Sequence, residues 1–178
     1  MSMLTTASVR THNPEALLSF TTNVAASILL CSQTNQHAKS HWAQRKLPNL
    51  KSFVDTLFKK MQLPLAVCLV DLIYLSRLKC QLPDHARGNI DTPHRLFLAS
   101  ILTASKFMND PENALTNQQL SEMTDGLYTV SDINQMERTF LALVHFRLFV
   151  DDKDLRSFLV KHGELLKVDL VEEQSSYY

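Results

Sequence analysis

A chain of 178 residues with equal numbers of acidic and basic side chains is long enough to bury a core as one domain. Its zero formal net charge speaks against nucleic-acid phosphates or an anionic membrane as the main ligand. Its three glycines form none of the phosphate-cradling glycine motifs, and its three cysteines, Cys31, Cys68 and Cys80, are widely spaced, as expected of reduced thiols in an intracellular protein.

The N-terminus lacks a charged start followed by an apolar run, so no secretory signal is expected, and residues 1–12 read as a loose tail. Asn13-Pro14-Glu15 is a helix start: a capping side chain, a proline where no amide bond is lost, and a carboxylate in the first turn. The helix runs to about residue 31 through Leu17, Leu18, Val24, Ile28 and Leu29. A polar connector follows, with His37, His41, Trp42, Arg45 and Lys46, and together these make an N-terminal unit over residues 13–49.

The main domain, residues 50–150, reads as five helical segments. Leu50, Phe53, Val54, Leu57, Phe58 and Met61 keep three-four spacing, one apolar stripe on a helix that Pro64 stops. The second runs from 65 to about 79, with Leu65, Leu69, Leu72, Ile73 and Leu75 inside and Arg77 and Lys79 at the end that favours cations. The longest apolar stretch, residues 63–75, overlaps it, is interrupted by Asp71 and is too short to span a bilayer. The third opens with Thr92 as cap and Pro93 at its first position, and is stopped at Asn109-Asp110-Pro111. It is apolar on nearly every side, so other helices must wrap it. Thr116 with Gln119, and Thr129 with Asp132, are capping boxes for the fourth and fifth helices. Ile133, Met136, Phe140, Leu141, Leu143 and Val144 form the buried side of the fifth. A last amphipathic helix starts at residues 151–154 in a C-terminal unit (151–178) whose end, EEQSSYY, reads as disordered. No period-two alternation is long enough for a sheet, so the fold class is all-α.

Two charges stand out. Lys106 lies late in the buried third helix and Glu137 in the fifth; beside so much apolar surface each must be paired, solvated or offered to a partner. His37 and His41 stand four apart, but without the glutamate of a metalloprotease motif or a third ligand nearby they do not make a metal site. No catalytic residue and no cofactor is assigned, because no nucleophile or acid–base couple shows a local setting.

The segments HRLFLASILTASKFMND, with its ASKF core, and DGLYTVSDINQMERTFLALVHFRLFV, with its INxMER core about thirty residues on, resemble a single cyclin box. The resemblance is to the fungal Pcl type, the group that includes the phosphate-regulon cyclins, and LPLAVCLVDLIYLSRLK is similar to its second helix. It covers roughly residues 50–150. It implies a five-helix bundle with the third helix central and flanking helices at both ends. It also implies a non-catalytic regulator that binds and activates a cyclin-dependent Ser/Thr protein kinase in the nucleus and cytoplasm. No nucleic acid, membrane or small-molecule substrate is expected. Carried over from the family, Lys106 and Glu137 face the kinase, and Phe107, Leu141, Phe146 and Leu148 supply apolar contact. The first box helix, LKSFVDTLFKKMQ, lacks the MRAIL-type motif that animal cell-cycle cyclins use to dock substrates, and too little chain follows Val150 for a second box. Since cyclin-like folds also occur in general transcription factors, a module that binds nucleic acid or other proteins is the alternative.

Overall fold

A computed structural model of the chain describes residues 7–11, 13–31 and 46–172. The connector carrying His37, His41, Trp42 and Arg45, and the last residues of the EEQSSYY end, lie outside the described residues. The order is β1 (Ala7–Thr11), α1 (Pro14–Ser27), β2 (Leu30–Cys31), α2 (Leu50–Met61), α3 (Leu65–Gln81), β3 (Arg87–Gly88), α4 (Thr92–Met108), α5 (Asn117–Met123), α6 (Val130–Leu143), α7 (Asp152–Leu166) and β4 (Val168–Glu172). No helix among the described residues is long and apolar enough to cross a membrane.

The helix starts follow from local chemistry. Asn13 Oδ1 accepts from the Glu15 and Ala16 amides, and Asn49 Oδ1 from those of Lys51 and Ser52. Thr116–Gln119, Thr129–Asp132 and Asp151–Asp154 all close reciprocal capping boxes. One expected cap is absent. Thr92 is already helical, Asp91 occupies the cap position but its carboxylate accepts from Arg95 Nε at 2.6 Å rather than from a helix amide, and the Thr92 hydroxyl accepts from the Asn89 amide at 2.8 Å. The hydroxyl serves the turn before the helix because that amide is the donor within reach.

Wrapping of α4 is as the sequence implies. Every residue from 97 to 105 is buried, and α1, α2, α3, α5 and α6 all pack against it. Less expected is that α3 is equally enclosed, with every residue from 67 to 75 buried, Asp71 included. Its inside-and-outside pattern is therefore not that of a helix lying on a surface. The centre of the molecule is the α3–α4 pair, with α2, α5 and α6 around it and α1 and α7 closing the remaining sides.

Residues 7–11, read from sequence as a loose tail, pair antiparallel with β4 from Ala7↔Glu172 to Thr11↔Val168. A second, two-residue parallel pairing joins Leu30–Cys31 to Arg87–Gly88. The strands of the first pairing are five residues each, and each depends on the other end of the chain for its partner.

Candidate partner-binding face

The face is assembled at the end of α4. Ser105 is buried, and its hydroxyl accepts from the Leu115 amide at 3.0 Å, which ties the connection between α4 and α5 back onto α4. Asp110 helps shape that connection, its carbonyl accepting from the Asn113 and Ala114 amides. The Thr116 capping box then starts α5 and sets Asn117 as its first residue. The next residue after Ser105, Lys106, therefore meets α5 and α6 at one place. Lys106 Nζ lies 2.7 Å from Glu137 Oε1 and also donates to Asn117 Oδ1. Asn117 Nδ2 in turn donates to Glu137 Oε2 at 2.8 Å and to Asn134 Oδ1 at 2.6 Å.

Of the three fates open to the two charges, the structure shows pairing, and with each other. The pair sits at the boundary of the core. Lys106 keeps 37% of its side-chain surface exposed and Glu137 16%, so part of both remains available from outside. A shallow pocket of about 340 Å³ opens beside them, lined by Lys106, Pro111, Ala114, Leu115, Thr116 and Asn117.

The expected apolar residues divide into three. Phe107 and Leu141, the latter one turn beyond Glu137, are half-buried and do not join the core packing. Phe146 is 69% exposed. Leu148 is half-buried and packs against the core, leaving it less surface to offer than its neighbour Phe149, which is half exposed. Phe146 stands out because α6 ends on two successive non-glycine residues in the left-handed region, His145 at φ 52 and Phe146 at φ 56. Such backbone costs about 1–2 kcal/mol per residue. It is held by bonds from the His145 amide to Ala142 O (3.0 Å), Phe146 to Leu141 O (2.9 Å) and Arg147 to Val144 O (3.0 Å).

The extended segment that follows is fastened to α3. The Tyr74 hydroxyl donates to Leu148 O at 2.7 Å. Arg77 Nη1 donates to Arg147 O (2.8 Å) and Phe149 O (2.9 Å), and Nη2 reaches Asp154 Oδ2 at 3.0 Å. Arg77 thus joins α3, the strap and the first turn of α7. The helix-end role expected of it goes unfilled because α3 runs on to Gln81. A groove of about 850 Å³ between α3 and α7 shares Arg147 and Phe149 with this region but lies away from Lys106 and Glu137.

Asn117, Asn134, Tyr74 and Arg77 escape the sequence reading as site residues. Only Asn117 carries a usable signal, its place after a capping-box threonine. The others act through contacts between elements far apart in sequence. Among the described residues no cluster of three His, Cys, Asp or Glu side chains could hold a metal ion.

Comparison with known proteins bears on the same stretch. The cyclin family model matches residues 3–148. PHO85 cyclin-1 of Saccharomyces cerevisiae is 38% identical over 125 residues, covering 70% of this chain and 44% of the relative. PHO85 cyclin-2 of the same yeast is 26% identical over 139 residues, 78% of this chain and 44% of the relative. Cyclin-U2-1 of Arabidopsis thaliana is 28% identical over 116 residues, 64% of this chain and 50% of the relative. The chain thus spans about half the length, or less, of these curated relatives. The matched region contains α4, α5 and α6 entire, with Lys106 and Glu137 between them, and the chain belongs to the cyclin family.

Proposed function

We propose that the chain is a regulatory subunit that binds a cyclin-dependent Ser/Thr protein kinase and activates it, contributing no catalytic group of its own. The observation that carries this reading is the Lys106–Glu137 pair, half-buried at the edge of the core, with Phe107 next to Lys106 in the chain, Leu141 one turn beyond Glu137 and Phe146 exposed past the end of α6, none of them used by the core. Apolar side chains left out of a core supply contact area, while charge-assisted hydrogen bonds fix orientation. The yeast relatives are named as cyclins of PHO85, and a kinase of that type is the partner proposed.

The mechanism follows from the rigidity of that face. Kinases of this class need a lysine–glutamate pair completed by inward movement of their αC helix before ATP phosphates are positioned. A surface anchored on the α3–α4 core and complementary to the inward arrangement binds that arrangement better, and the difference in affinity shifts the kinase population toward it. Residence in the nucleus and cytoplasm is part of the proposal and is tested by imaging a fluorescent fusion at native expression.

The test is pull-down against a panel of cyclin-dependent kinases, followed by phosphorylation of a Ser/Thr-Pro peptide. Kinase activity should appear with the chain and be absent without it. Lys106→Ala or Glu137→Ala should weaken kinase binding by roughly 2–5 kcal/mol with the fold retained. Undiminished binding by both variants would remove the pair from the interface, and no kinase captured by the parent chain would end the reading.

A further inference from the structure

We infer that Asn117 is the positioning residue of the partner face, clamping Lys106 and Glu137 into a single unit before the kinase arrives. The inference rests on the kinase-regulator reading and names a residue that the family resemblance does not supply. Its basis is connectivity. The Asn117 side chain touches all three other members of the network, accepting from Lys106 Nζ through Oδ1 and donating through Nδ2 to Glu137 Oε2 (2.8 Å) and Asn134 Oδ1 (2.6 Å). Lys106 and Glu137 touch each other through one oxygen only, Oε1. Remove Asn117 and the second carboxylate oxygen loses its donor among the described residues, while a lysine on four rotatable bonds keeps a single tether.

The backbone around Asn117 is fixed from two sides. The Ser105 hydroxyl holds the Leu115 amide at 3.0 Å, and Gln119 Oε1 accepts from the Thr116 amide at 2.9 Å. The amide side chain is thus delivered to the pair by a loop fastened to α4 itself, the helix that carries Lys106. Preorganisation of this kind aids binding by reducing what must be ordered on association.

An amide also fits where a carboxylate would not. Asn117 presents an oxygen to the cation and an N–H to the anion. Aspartate would keep the first contact and set a like charge against Glu137 in place of the second. That asymmetry separates positioning from plain structure. The first turn of a helix tolerates or favours an acidic residue, so a role confined to starting α5 predicts that Asn117→Asp keeps or gains thermal stability and keeps kinase affinity.

The experiment measures the melting temperature of the full chain and its affinity for the kinase captured by the parent, for Asn117→Ala, Asn117→Asp, Lys106→Ala and the Lys106→Ala/Asn117→Ala double variant. Positioning predicts about a tenfold loss of affinity for Asn117→Ala. It predicts a larger loss for Asn117→Asp with the fold retained, and less than about a twofold further loss when Asn117→Ala is added to Lys106→Ala. Parent-like affinity in Asn117→Asp, or an Asn117→Ala penalty of equal size in both backgrounds, would overturn the inference while leaving the kinase reading intact. Absence of binding by the parent chain would overturn the kinase reading itself, and this inference with it.

Discussion

Asp71 on α3 and Glu137 on α6 are carboxylates on two neighbours of α4, and the molecule handles them in opposite ways. Glu137 has a donor for each oxygen and remains partly open to solvent. Asp71 is fully buried, and neither of its carboxyl oxygens has a hydrogen-bond partner among the described residues. The Ser100 hydroxyl beside it donates to the Asp71 backbone carbonyl at 3.1 Å. Burial pushes the Asp71 carboxyl up to about 8, the nearby Ser100 hydroxyl opposing this in part. The difference lies in how each carboxyl is accommodated, one by burial without partners among the described residues and the other by paired donors at the edge of the core. On the α3 side a carboxyl is neutralised by a proton. On the α6 side each carboxylate oxygen has a hydrogen-bond donor, and part of the side chain stays open to solvent.

If α3 and α4 are scaffold and α6 a working face, the largest loss of stability should come from the scaffold. Leu102→Ala, at a site with no exposed surface, should lower unfolding free energy by about 2–5 kcal/mol in urea titration and take partner binding with it. Kinase affinity lost without stability lost would contradict the division.

Asp71→Asn tests the other half of the comparison through pH. The native carboxyl keeps its proton up to about 8, whereas the unfolded chain releases it near 3.8. Between those values the native state binds the extra proton, so this group makes stability fall as pH rises. The variant should therefore gain on the parent as pH is raised from 5 to 8, by on the order of a few kcal/mol at the upper end. A gain that is flat with pH would mean that Asp71 is ionised in the fold.

Arg77→Ala addresses the join between the two regions, because its guanidinium holds the strap after α6 onto α3. A loss of about 1–3 kcal/mol in stability is expected, together with faster amide exchange across residues 147–150. Exchange unchanged there would leave the strap held by the Tyr74 hydroxyl and core packing alone.

The smallest effect on stability belongs to the exposed end of α6. Phe146→Gly relieves a left-handed side-chain residue, so stability should hold or rise by up to about 1 kcal/mol. Kinase affinity should fall nonetheless. Affinity kept in that variant would take Phe146 out of the interface.

Helix order and most helix starts are legible in the sequence because they depend on neighbours a few residues apart: Asn13, the boxes at Thr116 and Thr129, and the restart at residues 151–154. Enclosure of α4 is legible too, since residues 97–105 carry no charged side chain, their polar groups being only the small hydroxyls of Ser100, Thr103 and Ser105. The equal burial of α3 is not, because Asp71 and Ser76 suggest an outer face, and only the fold reveals that Asp71 lies inside. Within the site, Lys106 and Glu137 are identifiable as charges needing a destination. Their joining through Asn117 is not, since it depends on how the loop from Pro111 to Thr116 returns to α4. The β1–β4 pairing is hidden for the same reason, being a contact between residues at opposite ends of the chain.

That pairing has a geometric consequence. With Ala7 opposite Glu172 in an antiparallel ribbon, the backbone enters and leaves the described fold at adjacent points. Whatever sequence is joined before residue 7 and after residue 172 therefore departs from one shared port. Two modules attached there would meet each other at high effective concentration, and a donor–acceptor dye pair at those positions would read opening of the ribbon directly.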